Sequence, residues 1–185
     1  LHSEEQASLS QAVVIFGGGC TGIAVSEEGL IFTNHHCGFG SIQSLSSVEH
    51  DYLKDGFVSQ TKEAELPVPG LSVKFLKKTI NVTDRIMAVI DTITDEVARI
   101  QAADSISNVL CDSVGNNATQ YAEVYPYYNN NVYYMQVYDV FNDVRLVFTP
   151  PSSVGKFGGD TDNWMWPRHT GDFSVFRVYA SESNE

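Results

Sequence analysis

Thr33-Asn34-His35-His36-Cys37 closes a stretch that opens at Gly17-Gly18-Gly19-Cys20-Thr21-Gly22, and the residues between read strand, turn, strand. Gly22-Ile23-Ala24-Val25 and Leu30-Ile31-Phe32-Thr33 are short apolar runs, and Ser26-Glu27-Glu28-Gly29 is a turn with Gly at its end. Cys20 and Cys37 therefore stand at opposite ends of one short hairpin, close enough to bridge. A bridge there pins the segment that carries His36. An imidazole that moves protons needs such pinning, because a small misplacement costs heavily in rate. Adjacent strand residues alternate faces, so His35 is expected to point away from His36 and to serve a structural role.

Working outward, Ala12 to Phe16 is a further apolar run stopped by the glycines, and Gly38-Phe39-Gly40 reads as a tight loop before a segment to about Lys54 that reads as either helical or irregular. Leu66-Pro67-Val68-Pro69-Gly70 is a breaker before an alternating strand, Leu71 to Leu76. From about Thr83 to Val114 the pattern turns helical. Ile86, Ile90, Ile93, Val97 and Ile100 recur at three- and four-residue steps, and Thr83 and Thr94 are candidate N-caps, each followed by Asp. One short and one longer amphipathic helix are expected, docked on the strands by one face. Strands return at Tyr121 to Tyr127 and Val132 to Val140 around the turn Asn129-Asn130-Asn131, then at Val144 to Thr149 and Phe173 to Ala180. Many short strands joined by tight turns indicate a mainly β barrel or sandwich with a helical segment.

The net charge of −12 over 185 residues, with the acidic residues scattered, argues against nucleic acid or an anionic membrane as partner. No apolar run is long enough to span a bilayer. The chain begins at Leu1 without Met and reads as a segment of a longer protein. With Cys20 and Cys37 paired, Cys111 is left as a free, buried thiol, and the bridge places the protein outside a reducing cytosol.

His36 is the first candidate for chemistry. Asp172 is the second: it sits immediately before the alternating strand Phe173-Ser174-Val175-Phe176-Arg177-Val178, where a carboxylate can orient a histidine, or merely cap a turn. A loop rich in Gly, Asp and aromatics, Gly158 to His169, precedes it, and Asn163 and Trp164 in that loop suit either a binding wall or a core. Other chemistries compete for the same atoms. His35, His36, Cys37 and His50 have the donors zinc takes, but consecutive strand residues diverge and no spaced ligand pair occurs. Cys37 as a nucleophile is hard to set against an imidazole next to it in the chain. The glycine run lacks the lysine and helix start of a phosphate loop.

At these residues the chain resembles trypsin-like serine peptidases in general. More closely, it is similar to the bacterial serine dipeptidyl-peptidase family of the dipeptidyl-peptidase 7 and 11 type. The resemblance is carried by Gly18-Gly19-Cys20-Thr21-Gly22, by Thr33-Asn34-His35-His36-Cys37-Gly38, by Val48-Glu49-His50-Asp51-Tyr52-Leu53-Lys54-Asp55-Gly56-Phe57, and by the run from Pro150-Pro151-Ser152-Ser153 through Asn163-Trp164-Met165-Trp166-Pro167-Arg168-His169 to Tyr179. It implies a trypsin-like β-barrel lobe, the first half of a double-barrel chymotrypsin-type catalytic domain, with the second barrel and an inserted helical domain outside residues 1–185. It further implies release of dipeptides from oligopeptides with a free N-terminus, His36 as general base, Asp172 as its orienting carboxylate, and Asn163 and Trp164 as holders of the substrate's α-amino group. No metal or organic cofactor is implied. The resemblance implies a periplasmic or otherwise exported protein and a homodimer for the full-length enzyme. One element is missing from the pattern: there is no Gly-x-Ser-x-Gly or Gly-Asp-Ser-Gly, so the nucleophilic serine is expected beyond Glu185 and the segment alone is expected to be inactive. A second reading from another class is a peptide-binding barrel without catalysis, which keeps the amine pocket and has lost the serine.

Overall fold

A computed structural model describes residues 9–155 and 171–180. In chain order its elements are helix α1 (Leu9–Ala12), strands β1 (Val13–Phe16), β2 (Cys20–Ala24) and β3 (Leu30–Thr33), helices α2 (His35–Leu45) and α3 (Tyr52–Asp55), and strands β4 (Phe57–Val58), β5 (Leu66–Pro67) and β6 (Val73–Asn81). Helices α4 (Thr83–Ile90) and α5 (Glu96–Asp112) follow, then strands β7 (Gln120–Tyr127), β8 (Val132–Phe141) and β9 (Asp143–Thr149), helix α6 (Ser152–Gly155) and strand β10 (Ser174–Tyr179). They gather into two units, one built from the described residues up to Val73 and from Phe141 onward, the other from Lys74–Val140.

The first unit is an antiparallel sheet in the order β4-β9-β10-β3-β2-β1, with β5 also paired to β9. Its registers sort the side chains by face. Ile31 lies opposite Phe176, and Phe176 opposite Leu146, and all three are fully buried. The Phe16 ring meets the Phe176 ring at 4.8 Å between centroids. The other face carries the row Val13, Ile23, Phe32, Val175 and Phe148, each opposite the next across five strands. Along that row Val13, Ile23 and Phe32 are exposed, and the Phe173 ring stacks on both Phe32 and Phe148. At one end of the sheet Arg177 Nε donates to Glu65 Oε1 at 2.8 Å, and the Tyr179 hydroxyl donates to Glu65 Oε2 at 2.8 Å, so a carboxylate only 4% exposed is fully engaged.

One expectation fails here in an instructive way. Residues 35–45 are helix α2, not a strand end followed by the loop Gly38-Phe39-Gly40. Its buried positions are His35, Gly38 and Ile42, a helical i, i+3, i+7 stripe. Gly38 costs helix propensity, yet a Cβ there would stand 3.1 Å from two atoms of the Phe176 ring. The glycine lets the helix lie down on the core, and burial outweighs propensity.

In the second unit the β7–β8 hairpin runs in register from Gln120↔Asp139 to Tyr127↔Val132, turning through Tyr128, Asn129 and Asn130 at positive φ. Its sheet packs against α4 and α5 through Val82, Ile86, Ile90, Leu110, Met135 and Val137. The short and the longer helix are where the periodicity places them, but three details differ. Val82, not Thr83, stands at the N-cap of α4, and the Thr83 hydroxyl pairs instead with the Tyr133 backbone. Asp95, not Thr94, caps α5, accepting from the Ala98 N–H at 2.8 Å. Val97 and Ile100 face solvent, while Ala103, Leu110 and Cys111 form the buried face. Burial pushes the Cys111 thiol pKa up, as expected of an inert free cysteine.

Candidate active site

Thr33 at the end of β3 lies opposite Ser174 at the start of β10. That one cross-strand pair brings together segments 136 residues apart in the chain, because His36 follows Thr33 by a single turn and Asp172 precedes Ser174 by two residues. His36 Nδ1 stands 2.8 Å from Asp172 Oδ2, and the His36 backbone N–H donates to Asp172 Oδ1 at 3.1 Å. The Asn34 amide donates to Asp172 Oδ2 at 3.1 Å and to the Asp172 carbonyl at 3.3 Å. The Asp172 side chain is 13% exposed and that of His36 55%, so the carboxylate is sheltered while more than half of the histidine side chain meets solvent.

Burial pushes the Asp172 carboxyl up. The hydrogen bonds from the His36 backbone and ring, the charge of that ring and the Asn34 amide together outweigh it, and the carboxyl is held below its ordinary range. Asp172 is therefore ionised at neutral pH and acts only as an acceptor. In the neutral ring, Nδ1, which faces that acceptor, carries the proton and Nε2 the lone pair.

Cys37, in the first turn of α2, is bridged to Cys20 at the start of β2, with the two Cα atoms 6.1 Å apart. The pairing expected from the hairpin is present, and it ties the turn carrying His36 to the sheet. With its sulfur in the bridge, Cys37 is neither a nucleophile nor a metal ligand here. His35 is fully buried, as its structural assignment requires, though the reason is not strand alternation: successive helix residues diverge by about 100°. Its Nδ1 lies 3.1 Å from Thr149 Oγ1, and its Nε2 lies 3.4 Å from Ser152 Oγ. Gly155 closes over the ring, where a Cβ would come within 2.7 Å of Cγ. His50 stacks on Tyr52. Among the described residues no group of three or more His, Cys, Asp or Glu could hold a metal ion. Asn163 and Trp164 lie outside the described residues.

Asn34 is the site residue that sequence reasoning missed. Its signal was its place, at a strand end directly before the two histidines, but an Asn there reads equally as a turn or a cap.

A mainly antiparallel β-fold with helices sets a histidine against an ionised carboxylate, an arrangement that can take up and hand on a proton. The chain belongs to the peptidase S46 family, whose match covers residues 1–185. It is 61% identical over 184 residues to dipeptidyl-peptidase 7 of Porphyromonas gingivalis, an alignment that takes in 100% of this chain and 26% of the relative. Dipeptidyl-peptidase 7 of Porphyromonas endodontalis is 60% identical over 184 residues, with 100% of this chain and 22% of the relative covered. Among solved structures, a crystal structure of Porphyromonas endodontalis DPP11 in complex with substrate matches with a TM-score of 0.85 at 45% identity, over 99% of this chain and 28% of that one. The chain thus spans about a quarter of the length of the curated relatives it matches.

Proposed function

We propose that this chain is the histidine- and aspartate-bearing lobe of a serine-type dipeptidyl-peptidase, a trypsin-like barrel whose partner barrel and nucleophile lie in sequence beyond Glu185. The observation that carries the reading is the His36–Asp172 pair, with Nδ1 at 2.8 Å from an ionised carboxylate and the histidine side chain more than half exposed, in a chain of the S46 family. In the reaction His36 Nε2 takes the serine hydroxyl proton as the oxygen attacks the carbonyl after the second substrate residue. Asp172 holds the Nδ1–H tautomer and stabilises the imidazolium. The same proton then passes to the leaving amine. Water, activated by His36 in turn, frees the dipeptide from the acyl-enzyme.

Asn163 and Trp164 are assigned to the substrate's α-ammonium, through a carbonyl acceptor and a ring face, which fixes the length released at two residues. The exposed apolar row of Val13, Ile23 and Phe32, continuing onto Phe173 beside Asp172, suits a surface that the second barrel covers. The Cys20–Cys37 bridge supports an exported, periplasmic setting, and the full-length enzyme is read as a homodimer. The test is kinetic. The full-length enzyme should turn over dipeptide esters with a free N-terminus and process their N-acetylated forms poorly. Equal turnover of both removes the dipeptidyl assignment and leaves an endopeptidase.

A further inference from the structure

We propose that Asn34 is a positioning residue for this reaction, acting as the donor that fixes the Asp172 carboxylate against His36; the proposal rests on the functional reading of that pair. Asn34 occupies the N-cap of α2, with φ −68° and ψ 148°. An Asn in that position ordinarily turns its side-chain oxygen back to accept a backbone N–H two or three residues on. Here it makes no such bond. The side chain turns instead toward a residue 138 positions away and, among the described residues, spends its amide on Asp172.

The geometry amounts to an exchange of duties. The Asp172 Oδ1 accepts the His36 backbone N–H at 3.1 Å, which is one of the helix-start donors that the cap side chain would have satisfied. Asp172 thus caps the helix from the segment before β10, and Asn34 secures Asp172 in return. The Asn34 nitrogen faces two acceptors, Asp172 Oδ2 and the Asp172 carbonyl, so the amide cannot be turned over without setting oxygen against oxygen. Oδ2 receives Asn34 from one direction and the His36 ring from another. With both oxygens of the carboxylate and its own backbone carbonyl held, neither χ2 rotation nor a shift of the 171–173 segment can carry Oδ2 off the imidazole. Catalysis needs that rigidity in the second partner as much as in the first.

A cap and a donor make opposite demands, which gives the experiment. Ser and Asp are as good as Asn at an N-cap, but Ser is too short to reach Asp172 and Asp sets a second carboxylate against it. Asn34→Ser, Asn34→Asp and Asn34→Ala are made in the full-length enzyme beside His36→Ala, and kcat and KM are measured separately on enzyme with native circular dichroism. The expected result is a loss of kcat of about 10- to 100-fold in Asn34→Ser and Asn34→Ala, a larger loss in Asn34→Asp, and KM within about twofold of wild type throughout. Wild-type kcat in Asn34→Ser, or a loss confined to KM, overturns the role of Asn34. Full activity in His36→Ala would instead overturn the reading of the pair on which the proposal stands.

Discussion

Removing the Cys20–Cys37 bridge by the double substitution Cys20→Ser, Cys37→Ser should cost about 3 kcal/mol, and the figure follows from the chain path. The bridge closes a loop with a sequence separation of 17. For a loop of that length the chain-entropy relation gives about 10 cal/mol/K, or about 3 kcal/mol at room temperature. The Cα separation of 6.1 Å falls in the ordinary range for a bridge, so no strain offset is expected. The bridge joins the first turn of α2 to the first residue of β2, and its removal should also loosen the turn that holds His36. The assay is a denaturant titration of the wild-type protein and the double variant in the same buffer without reductant, repeated for wild type with dithiothreitol. Reduced wild type should fall to the midpoint of the variant, since Cys111 is the free cysteine and takes no part. Stabilities that agree within about 0.5 kcal/mol would refute the entropic argument.

Three further outcomes follow from named contacts. Arg177→Met leaves Glu65, 4% exposed, with Tyr179 and only the longer-range charge of Arg145, and should destabilise by about 3–5 kcal/mol in a denaturant titration, whereas a change below about 1 kcal/mol would mean the pair is dispensable. Gly155→Ala drives a Cβ to 2.7 Å from the His35 ring and should cost about 1–3 kcal/mol with a fall in activity; an unchanged melting temperature would show that α6 simply moves aside. Because the folded chain holds the Asp172 carboxyl below its ordinary range, the stability it contributes is complete above the unfolded-chain pKa of about 3.9 and drains away as the pH falls through the lower folded value. The stability difference between wild type and Asp172→Ala should therefore be flat near neutral pH and shrink in acid, and a difference that grew on acidification would reverse the assigned direction.

Much of the fold was legible because its turns are chemically marked. Ser26 to Gly29, Asn129 to Asn131 and Pro150 bound strands that fall within a residue or two of their expected ends. The start of helix α2 was hidden because its buried stripe opens on His35 and Gly38, and neither histidine nor glycine registers as apolar. The face of α5 was misjudged for another reason. The stripe was carried from α4 through Ile93 into α5, but the chain leaves the helix between Ile90 and Glu96, and that break resets the helical phase. As for the site, His36 showed through the cysteine spacing and Asp172 through its place before a strand. Asn34 did not show, because its function depends on a partner that only the β3–β10 pairing brings near.

The most direct measurement is covalent labelling of the full-length enzyme with a serine-directed fluorophosphonate, the modified residue mapped by peptide mass spectrometry in wild type, His36→Ala and Asp172→Asn. A single labelled serine beyond Glu185 is expected, with labelling lost in His36→Ala and slowed by about 10³- to 10⁴-fold in Asp172→Asn, where the wrong tautomer is favoured. Labelling of a serine within residues 1–185, or labelling indifferent to His36, would contradict the assignment of His36 and Asp172 to a serine nucleophile.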